Sequence, residues 1–75
     1  MYLSDLNINQ KAEIYEINCD DILKNRFYSF GITNGTKVEL TAKSLAKKTL
    51  EIKINNYKVA LRSSEAANIR VKYAS

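Results

Sequence analysis

Two short segments on either side of Asn55-Asn56 constrain the fold of this chain more than any other feature. Thr49–Ile54 and Tyr57–Arg62 both alternate apolar with polar residues, which is typical of a strand with one buried face. Asparagine tolerates positive φ, so Asn55-Asn56 suits a two-residue type I′ turn, and such a turn fixes the register of a hairpin. The register places three apolar cross-strand pairs on one face: Ile54 with Tyr57, Ile52 with Val59, and Leu50 with Leu61.

Three further segments have the pattern of strands. Lys11–Ile17 alternates until Tyr15-Glu16, where the pattern slips and predicts either a bulge or the end of the strand. Thr36–Lys43 and Ile69–Tyr73 alternate without interruption. The residues predicted to face the core in these last two segments are Val38, Leu40 and Ala42, and Ile69, Val71 and Tyr73.

A helix is predicted between the first two strands, over Asp20–Phe30. Asp20 suits the N-cap, and Gly31 suits a left-handed stop followed by an apolar contact from Ile32. One apolar stripe is expected to face the core, formed by Ile22, Leu23, Phe27 and Phe30.

The connections between these elements are short and polar. Asn34-Gly35 marks a tight turn, and Ser44–Lys48 forms a polar loop. Ser63–Ala67 predicts a short helical turn with a serine cap.

Residues 1–75 are therefore expected to form a single domain of the mainly β class. Five short strands with one short α-helix after the first strand cannot bury themselves as a flat sheet. A small, partly open SH3-like barrel is the fold that this element order favours.

The composition excludes several kinds of chemistry. The chain has no histidine and one cysteine, Cys19, which rules out a Ser-His-Asp relay, a zinc site of the Cys/His type and a Cys-x-x-Cys redox pair. The hydrophobic fraction of 45% is too high for disorder, and no apolar run is long enough to cross a membrane. We therefore expect a cytoplasmic, non-enzymatic binding module without direct membrane insertion.

Basic residues are concentrated in the middle of the chain. Residues 36–62 contain seven Lys and Arg against two Glu, a net charge of +5, whereas residues 1–35 carry −2. The predicted register even opposes Lys53 and Lys58 directly. Such a segment either forms a solvated strand face or attracts a polyanion or an acidic protein surface.

The acidic residues offer little for a metal ion. The one acidic cluster in the sequence comprises Glu13, Glu16, Asp20 and Asp21, and the helix start already explains the two aspartates. We expect no specific metal site and no cofactor. Cys19 lies beside these acidic residues, which disfavour its thiolate, and is expected to be a small buried residue.

Four parts of the sequence together resemble a known family. They are Leu3-Ser4-Asp5-Leu6 with the strand Gln10–Ile14, the helix end Arg26–Thr36 followed by Val38, the segment Tyr57–Arg62, and the segment Glu65–Val71. In order and spacing they resemble the FeoA family, the small cytosolic proteins of bacterial ferrous iron uptake. Asn9 and Asn55-Asn56 stand where that family often has glycine, but asparagine also tolerates a left-handed backbone.

The resemblance carries implications for fold and function. It implies an SH3-like barrel, similar also to the C-terminal domain of iron-dependent repressors. It implies an accessory or regulatory role toward FeoB, a membrane ferrous iron permease with a cytosolic GTPase domain, so the protein would be peripheral to the inner membrane through that partner. Transition-metal binding is possible by resemblance only.

We expect the partner to dock on the basic hairpin and an adjoining groove, because SH3-like barrels often leave aromatic residues exposed there. For Arg26 the sequence leaves two interpretations: it anchors an acidic partner, or its stem packs near Phe30 and its guanidinium caps the last helix carbonyls. The aromatic residues have a structural alternative as core. The candidate partner-binding residues are Arg26, Phe30, Lys53, Tyr57, Lys58 and Arg62.

Two other functions remain open at this point. One is a nucleic-acid-binding small basic β-barrel, with Tyr57 and Tyr28 as stacking residues. Alternation turns Tyr57 inward, so we do not expect nucleic acid as the partner. The other is a metal-linked regulatory domain.

Overall fold

A computed structural model of the protein describes residues 1–44, 46 and 48–74. Leu45 and Lys47 of the predicted polar loop and Ser75 at the end of the chain lie outside the described residues. The elements are a 3₁₀ turn (Leu3–Asp5), β1 (Lys11–Ile17), α1 (Asp21–Ser29), β2 (Lys37–Lys43), β3 (Thr49–Ile54), β4 (Tyr57–Arg62), α2 (Ser63–Ala66) and β5 (Ile69–Tyr73).

The strands form one antiparallel sheet in the order β4-β3-β2-β1-β5, with β4 and β5 at its edges. The predicted mainly β class, with five strands and one short helix after β1, is confirmed. The 3₁₀ turn, which the sequence did not predict, contributes the fully buried Leu3, and Leu6 follows it into the core.

The β3–β4 hairpin has the predicted register at every position. Ile54 pairs with Tyr57, and Lys53 lies directly opposite Lys58. The turn differs in one respect: Asn55 has a φ of 53°, but Asn56 has no positive φ. A type I′ turn needs positive φ at both central residues, so that prediction is wrong.

A bulge in β2 overturns part of the predicted alternation. The register shifts between Leu40, which pairs with Ile52, and Ala42, which pairs with Glu51. The extra residue is Thr41, whose hydroxyl donates to the backbone oxygen of Glu51 at 3.1 Å. Because a bulge inverts the inward and outward positions that follow it, Ala42 is exposed and not part of the core.

Of the two alternatives predicted near Tyr15-Glu16 in β1, the structure has the bulge and not the end of the strand. Ile14 pairs with Val71 and Glu16 pairs with Arg70, so Tyr15 is the extra residue. Tyr15 and Tyr73 are both exposed, and the prediction that Tyr73 faces the core is wrong.

Helix α1 begins and ends as the sequence predicts. The Asp20 carboxylate accepts a hydrogen bond from the backbone N–H of Leu23 at 2.8 Å. At the other end Gly31 has a φ of 83°, and the N–H of Ile32 donates to the Phe27 carbonyl at 2.9 Å. This 6→1 bond is that of a Schellman motif, and the accompanying apolar residue, Ile32, is buried as predicted.

The apolar stripe of α1 is narrower than predicted. Phe27 is fully buried, whereas Ile22 is 85% exposed. At about 100° per residue the two positions lie about 140° apart around the helix, so a helix that turns Phe27 to the core turns Ile22 to solvent.

Candidate functional site

A groove separates the edge strand β4 from the C-terminal end of α1. Its walls are Tyr28–Gly31 on the helix side and Tyr57–Ala60 on the strand side, and its volume is about 690 Å³. We refer to it as the β4–α1 groove. Its size lies within the range of about 300–1,000 Å³ that is typical of ligand-binding clefts.

Tyr57 spans one end of this groove. Its hydroxyl donates a hydrogen bond to the backbone oxygen of Phe30 at 2.6 Å, which ties the hairpin to the helix end. The side chain nevertheless remains 43% exposed. Tyr57 therefore belongs to the same face as Ile52 and Leu61, as its register predicts, but forms the rim of the core and not its interior.

The strand side of the groove presents unpaired backbone. In a two-residue hairpin the residues next to the turn form a hydrogen-bonded pair, so Tyr57, Val59 and Leu61 direct their backbone groups toward β3. The backbone groups of Lys58, Ala60 and Arg62 consequently point away from the sheet.

The backbone N–H of Arg62 confirms this direction, because it donates to a Glu65 carboxylate oxygen at 2.9 Å beyond the sheet edge. No described residue pairs with the outward backbone groups of Lys58 or Ala60.

Arg26 makes an internal ion pair that the sequence did not predict. Its Nη1 lies 2.5 Å from Oε2 of Glu65, whose side chain is only 10% exposed. Its guanidinium also lies 5.6 Å from the centroid of the Phe30 ring, so the side chain lies near Phe30 as predicted, with the guanidinium over the ring. The predicted capping of the helix carbonyls is wrong, because the buried carboxylate attracts the guanidinium more strongly than exposed carbonyls can.

Glu65 connects the two helices. It holds Arg26 of α1 through one oxygen and the N-terminus of α2, at Arg62, through the other. The N-cap position of α2 is therefore Arg62 and not the predicted serine.

The candidate basic residues fall into two places. Lys58 lines the β4–α1 groove, and its Nζ lies 3.6 Å from a Glu51 carboxylate oxygen. Lys53 lies across the hairpin and lines a separate concavity of about 350 Å³, together with Lys11 and Lys37.

The structure thus brings three of the six predicted partner-binding residues together in the groove: Phe30, Tyr57 and Lys58. Arg26 and Arg62 lie beside it through their shared contact with Glu65, and Lys53 lies outside it. Tyr28, which the sequence indicated only as a stacking residue for nucleic acid and not as a partner-binding residue, also lines the groove.

The acidic residues do not converge on a metal site. Glu13 faces Lys72 at 3.7 Å, Glu16 faces Arg70 at 3.3 Å, and the Asp20 carboxylate caps α1. Among the described residues no group of three or more Asp, Glu, Cys or His side chains could hold a metal ion. The described residues therefore provide no set of side chains that fits a transition-metal ion.

Cys19 is partly buried next to the start of α1. Its removal from water raises the pKa of the thiol above its ordinary value, and the negative charge of Asp20 raises it further. A raised pKa leaves a smaller fraction of Cys19 as the thiolate, the nucleophilic form, at neutral pH.

No helix in the described ranges is both long and apolar enough to span a membrane.

Comparison with known proteins finds solved structures that have the same fold as this chain and a family whose model matches its sequence. One relative, a Helicobacter pylori (strain J99) protein named for Fe(2+) transport, is 48% identical over 73 residues, which cover 96% of this chain and 94% of the relative. A similar solved structure is the crystal structure of Stenotrophomonas maltophilia FeoA in complex with zinc, a protein described as an SH3 domain protein. Its sequence is 26% identical to this chain, and the TM-score between the two structures is 0.83. The match covers 96% of this chain and 89% of that one.

A manganese-dependent transcriptional repressor has the same fold in part of its structure. The TM-score is 0.92 at 20% identity, and the match covers 99% of this chain and 36% of the repressor. The predicted SH3-like fold and its similarity to a domain of metal-dependent repressors are both confirmed. A family model for the FeoA domain matches residues 1–73, and the chain therefore belongs to the FeoA family.

Proposed function

We propose that this protein is a non-enzymatic accessory protein of bacterial ferrous iron transport. Membership of the FeoA family supports this proposal, as does the similarity to a Helicobacter pylori protein named for Fe(2+) transport. The Stenotrophomonas maltophilia protein is likewise described as a candidate activating factor of ferrous iron transport. Ferrous iron is the cargo of the system in this proposal, and no residue of this chain is assigned to hold it.

The partner would be a membrane permease with a cytosolic GTPase domain, of the FeoB type, and the protein would act at the cytoplasmic face of the inner membrane. The observation that carries this assignment is the β4–α1 groove, which combines a sheet edge that no described residue pairs with and the exposed rings of Tyr28 and Tyr57. Aromatic residues at the wall of a cleft provide much of the contact area in protein interfaces.

Docking in this groove would regulate the partner through differential affinity. A bound protein shifts a conformational equilibrium only when it binds one state more tightly than the other. The accessory protein would therefore bind one nucleotide-linked conformation of the permease preferentially, without performing chemistry itself. The absence of histidine from the chain agrees with a binding role.

Isothermal titration calorimetry with the cytosolic domain of the permease tests this proposal. The substitution Lys58→Glu reverses a charge at the groove and is expected to weaken binding about tenfold or more. Lys72→Glu is a matched control: both lysines lie on edge strands, their side chains are 59% and 63% exposed, and each faces one glutamate at 3.6–3.7 Å. Absence of binding by the unsubstituted protein would overturn the proposal.

Nucleic-acid binding is a second candidate, which one observation favours. Tyr57 is more exposed than its inward register predicts, and it lies with Tyr28 and Lys58 around one groove. Tyrosines beside a lysine are suited to stacking on single-stranded bases. A gel-shift assay with single-stranded RNA at low and high salt separates this candidate from the first, since it predicts a salt-dependent shift.

A further inference from the structure

We infer that the partner segment binds as an additional strand on the outer edge of β4, with acidic and apolar side chains alternating along it. This inference rests on the proposed function and specifies how the docking takes place. It starts from the difference between the two edges of the sheet.

The N-terminal residues cover part of the β5 edge, whereas no described residue covers the β4 edge between Lys58 and Ala60. At β5, the N–H of Val71 donates to the Met1 carbonyl at 2.8 Å, and Tyr2 forms an isolated bridge with Arg70. At β4, no described residue pairs with Lys58 or Ala60. An uncovered edge strand is a template for another strand, and proteins usually cover or interrupt such edges.

The open edge has a defined length. Toward the C-terminus the open edge ends at Arg62, whose N–H already donates to Glu65. Toward the N-terminus it ends at the hairpin turn that precedes Tyr57. The N–H and C=O groups of Lys58 and Ala60 therefore offer four hydrogen bonds to an incoming segment.

The groove beside this edge is lined by Lys58 and Ala60, the two residues whose backbone groups point outward. A paired strand lies about 4.8 Å from its neighbour, and the β4–α1 groove leaves about 690 Å³ between the edge and the helix end. Tyr57 joins the hairpin to the helix end at one side of this groove, because its hydroxyl donates to the Phe30 carbonyl.

The two faces of β4 specify the side chains of the occupant. One face carries Lys58 and Arg62 and faces solvent, whereas the other carries Tyr57 and Val59 next to Phe30. Cross-strand neighbours share a face, so acidic side chains of the added strand would lie beside the two cations. Alternate side chains would enter the apolar part of the groove beside Phe30, which gives the motif of alternating acidic and apolar residues.

Two variants of one residue test the backbone contacts. Ala60→Pro removes an outward N–H and leaves the β3 pairing intact, because proline is accepted on edge strands where its nitrogen faces solvent. Ala60→Thr retains the N–H and is the control. With the full chain and the cytosolic domain of the permease, we expect about a tenfold or greater loss of affinity for the proline variant and less than about a threefold change for the threonine variant. If the two variants bind the permease domain with equal affinity, the inference that the partner adds a strand to β4 is wrong, but the proposed function is not affected.

Hydrogen exchange gives a measurement that requires no substitution. The probe is a hexapeptide that alternates glutamate with valine or isoleucine, and its control has lysine in place of glutamate. We expect the acidic peptide to slow amide exchange at Lys58 and Ala60 in the full chain, and the basic peptide to leave it unchanged. Unchanged exchange at these two amides in the presence of saturating permease domain would refute the strand, whereas failure of the permease to bind at all would refute the proposed function.

Discussion

The Tyr57 hydroxyl occupies the position that a side chain at residue 31 would need. A Cβ on Gly31 would collide with this oxygen, and the hydroxyl itself is bonded to the carbonyl of the preceding residue, Phe30. The glycine thus has two roles: its φ of 83° ends α1, and its missing side chain lets the hairpin close onto the helix end. This contact joins the two walls of the β4–α1 groove at one end.

Gly31→Ala is expected to cost more stability than Gly35→Ala. Both residues have φ near +85°, which costs alanine about 1–2 kcal/mol, but only at Gly31 would the new Cβ also collide with Tyr57. We expect about 2–3 kcal/mol for Gly31→Ala from urea unfolding, since the exposed Tyr57 ring must swing away and lose its hydrogen bond to Phe30, which contributes about 0.5–1.5 kcal/mol.

The collision can be isolated by a double-mutant cycle. In a Tyr57→Phe background the hydroxyl is gone, so the cost of Gly31→Ala should fall to that of Gly35→Ala. An equal cost of Gly31→Ala in both backgrounds would show that the tyrosine does not occupy that space.

The Arg26–Glu65 pair is expected to stabilise the protein because the carboxylate is nearly buried. Arg26→Gln should lower the free energy of unfolding by about 1–3 kcal/mol, since it leaves a charged acceptor short of a partner. Lys72→Gln removes a more exposed pair with Glu13 and should cost less than about 1 kcal/mol. Equal effects in urea unfolding would contradict the assigned role of Glu65.

Cys19 is expected to react slowly with alkylating agents. Desolvation and, second to it, the charge of Asp20 raise the pKa of the thiol, so the pH at which alkylation reaches half its maximal rate should lie above that of a free cysteine peptide. Asp20→Asn keeps an N-cap and removes the charge, so the midpoint should fall. It should not reach the peptide value, because burial remains. A midpoint at or below the peptide value in the native protein would contradict this assignment.

Truncation to alanine should lower the free energy of unfolding strongly at one residue of α1 and hardly at all at another. Phe27 is fully buried, and Phe27→Ala should cost about 3–5 kcal/mol, whereas Ile22→Ala at an exposed position should change stability by less than about 0.5 kcal/mol. Thermal or urea unfolding of the two variants measures both. A large loss for Ile22→Ala would indicate that the helix turns its predicted stripe to the core.

The parts of the fold that depend on local signals were predictable. The spacing around Asn55-Asn56 determined the hairpin register, and Asp20 and Gly31 determined the ends of α1. The bulge at Thr41 was not visible, because the residues around it continue to alternate and only pairing with β3 reveals the shift. The rotation of α1 was also undetermined, since Ile22 and Phe27 are equally apolar and the sheet selects between them.

The candidate site was predictable only in part. Tyr57 and Lys58 followed from the hairpin, and their place beside Phe30 required the fold. The pairing of Arg26 with Glu65 joins residues 39 positions apart, a separation at which sequence carries no signal of contact. Lys53 shares the outer face of the hairpin with Lys58, but it lies on β3, one strand further from the sheet edge, and lines another concavity.

The most direct test of docking in the β4–α1 groove is an NMR titration of the isotope-labelled full chain with the cytosolic domain of the permease. We predict that amide shift changes concentrate at residues 28–31 and 57–60 and saturate with the partner. Changes confined to the concavity around Lys11, Lys37 and Lys53, or to the opposite edge at Tyr73, would contradict the groove as the docking site.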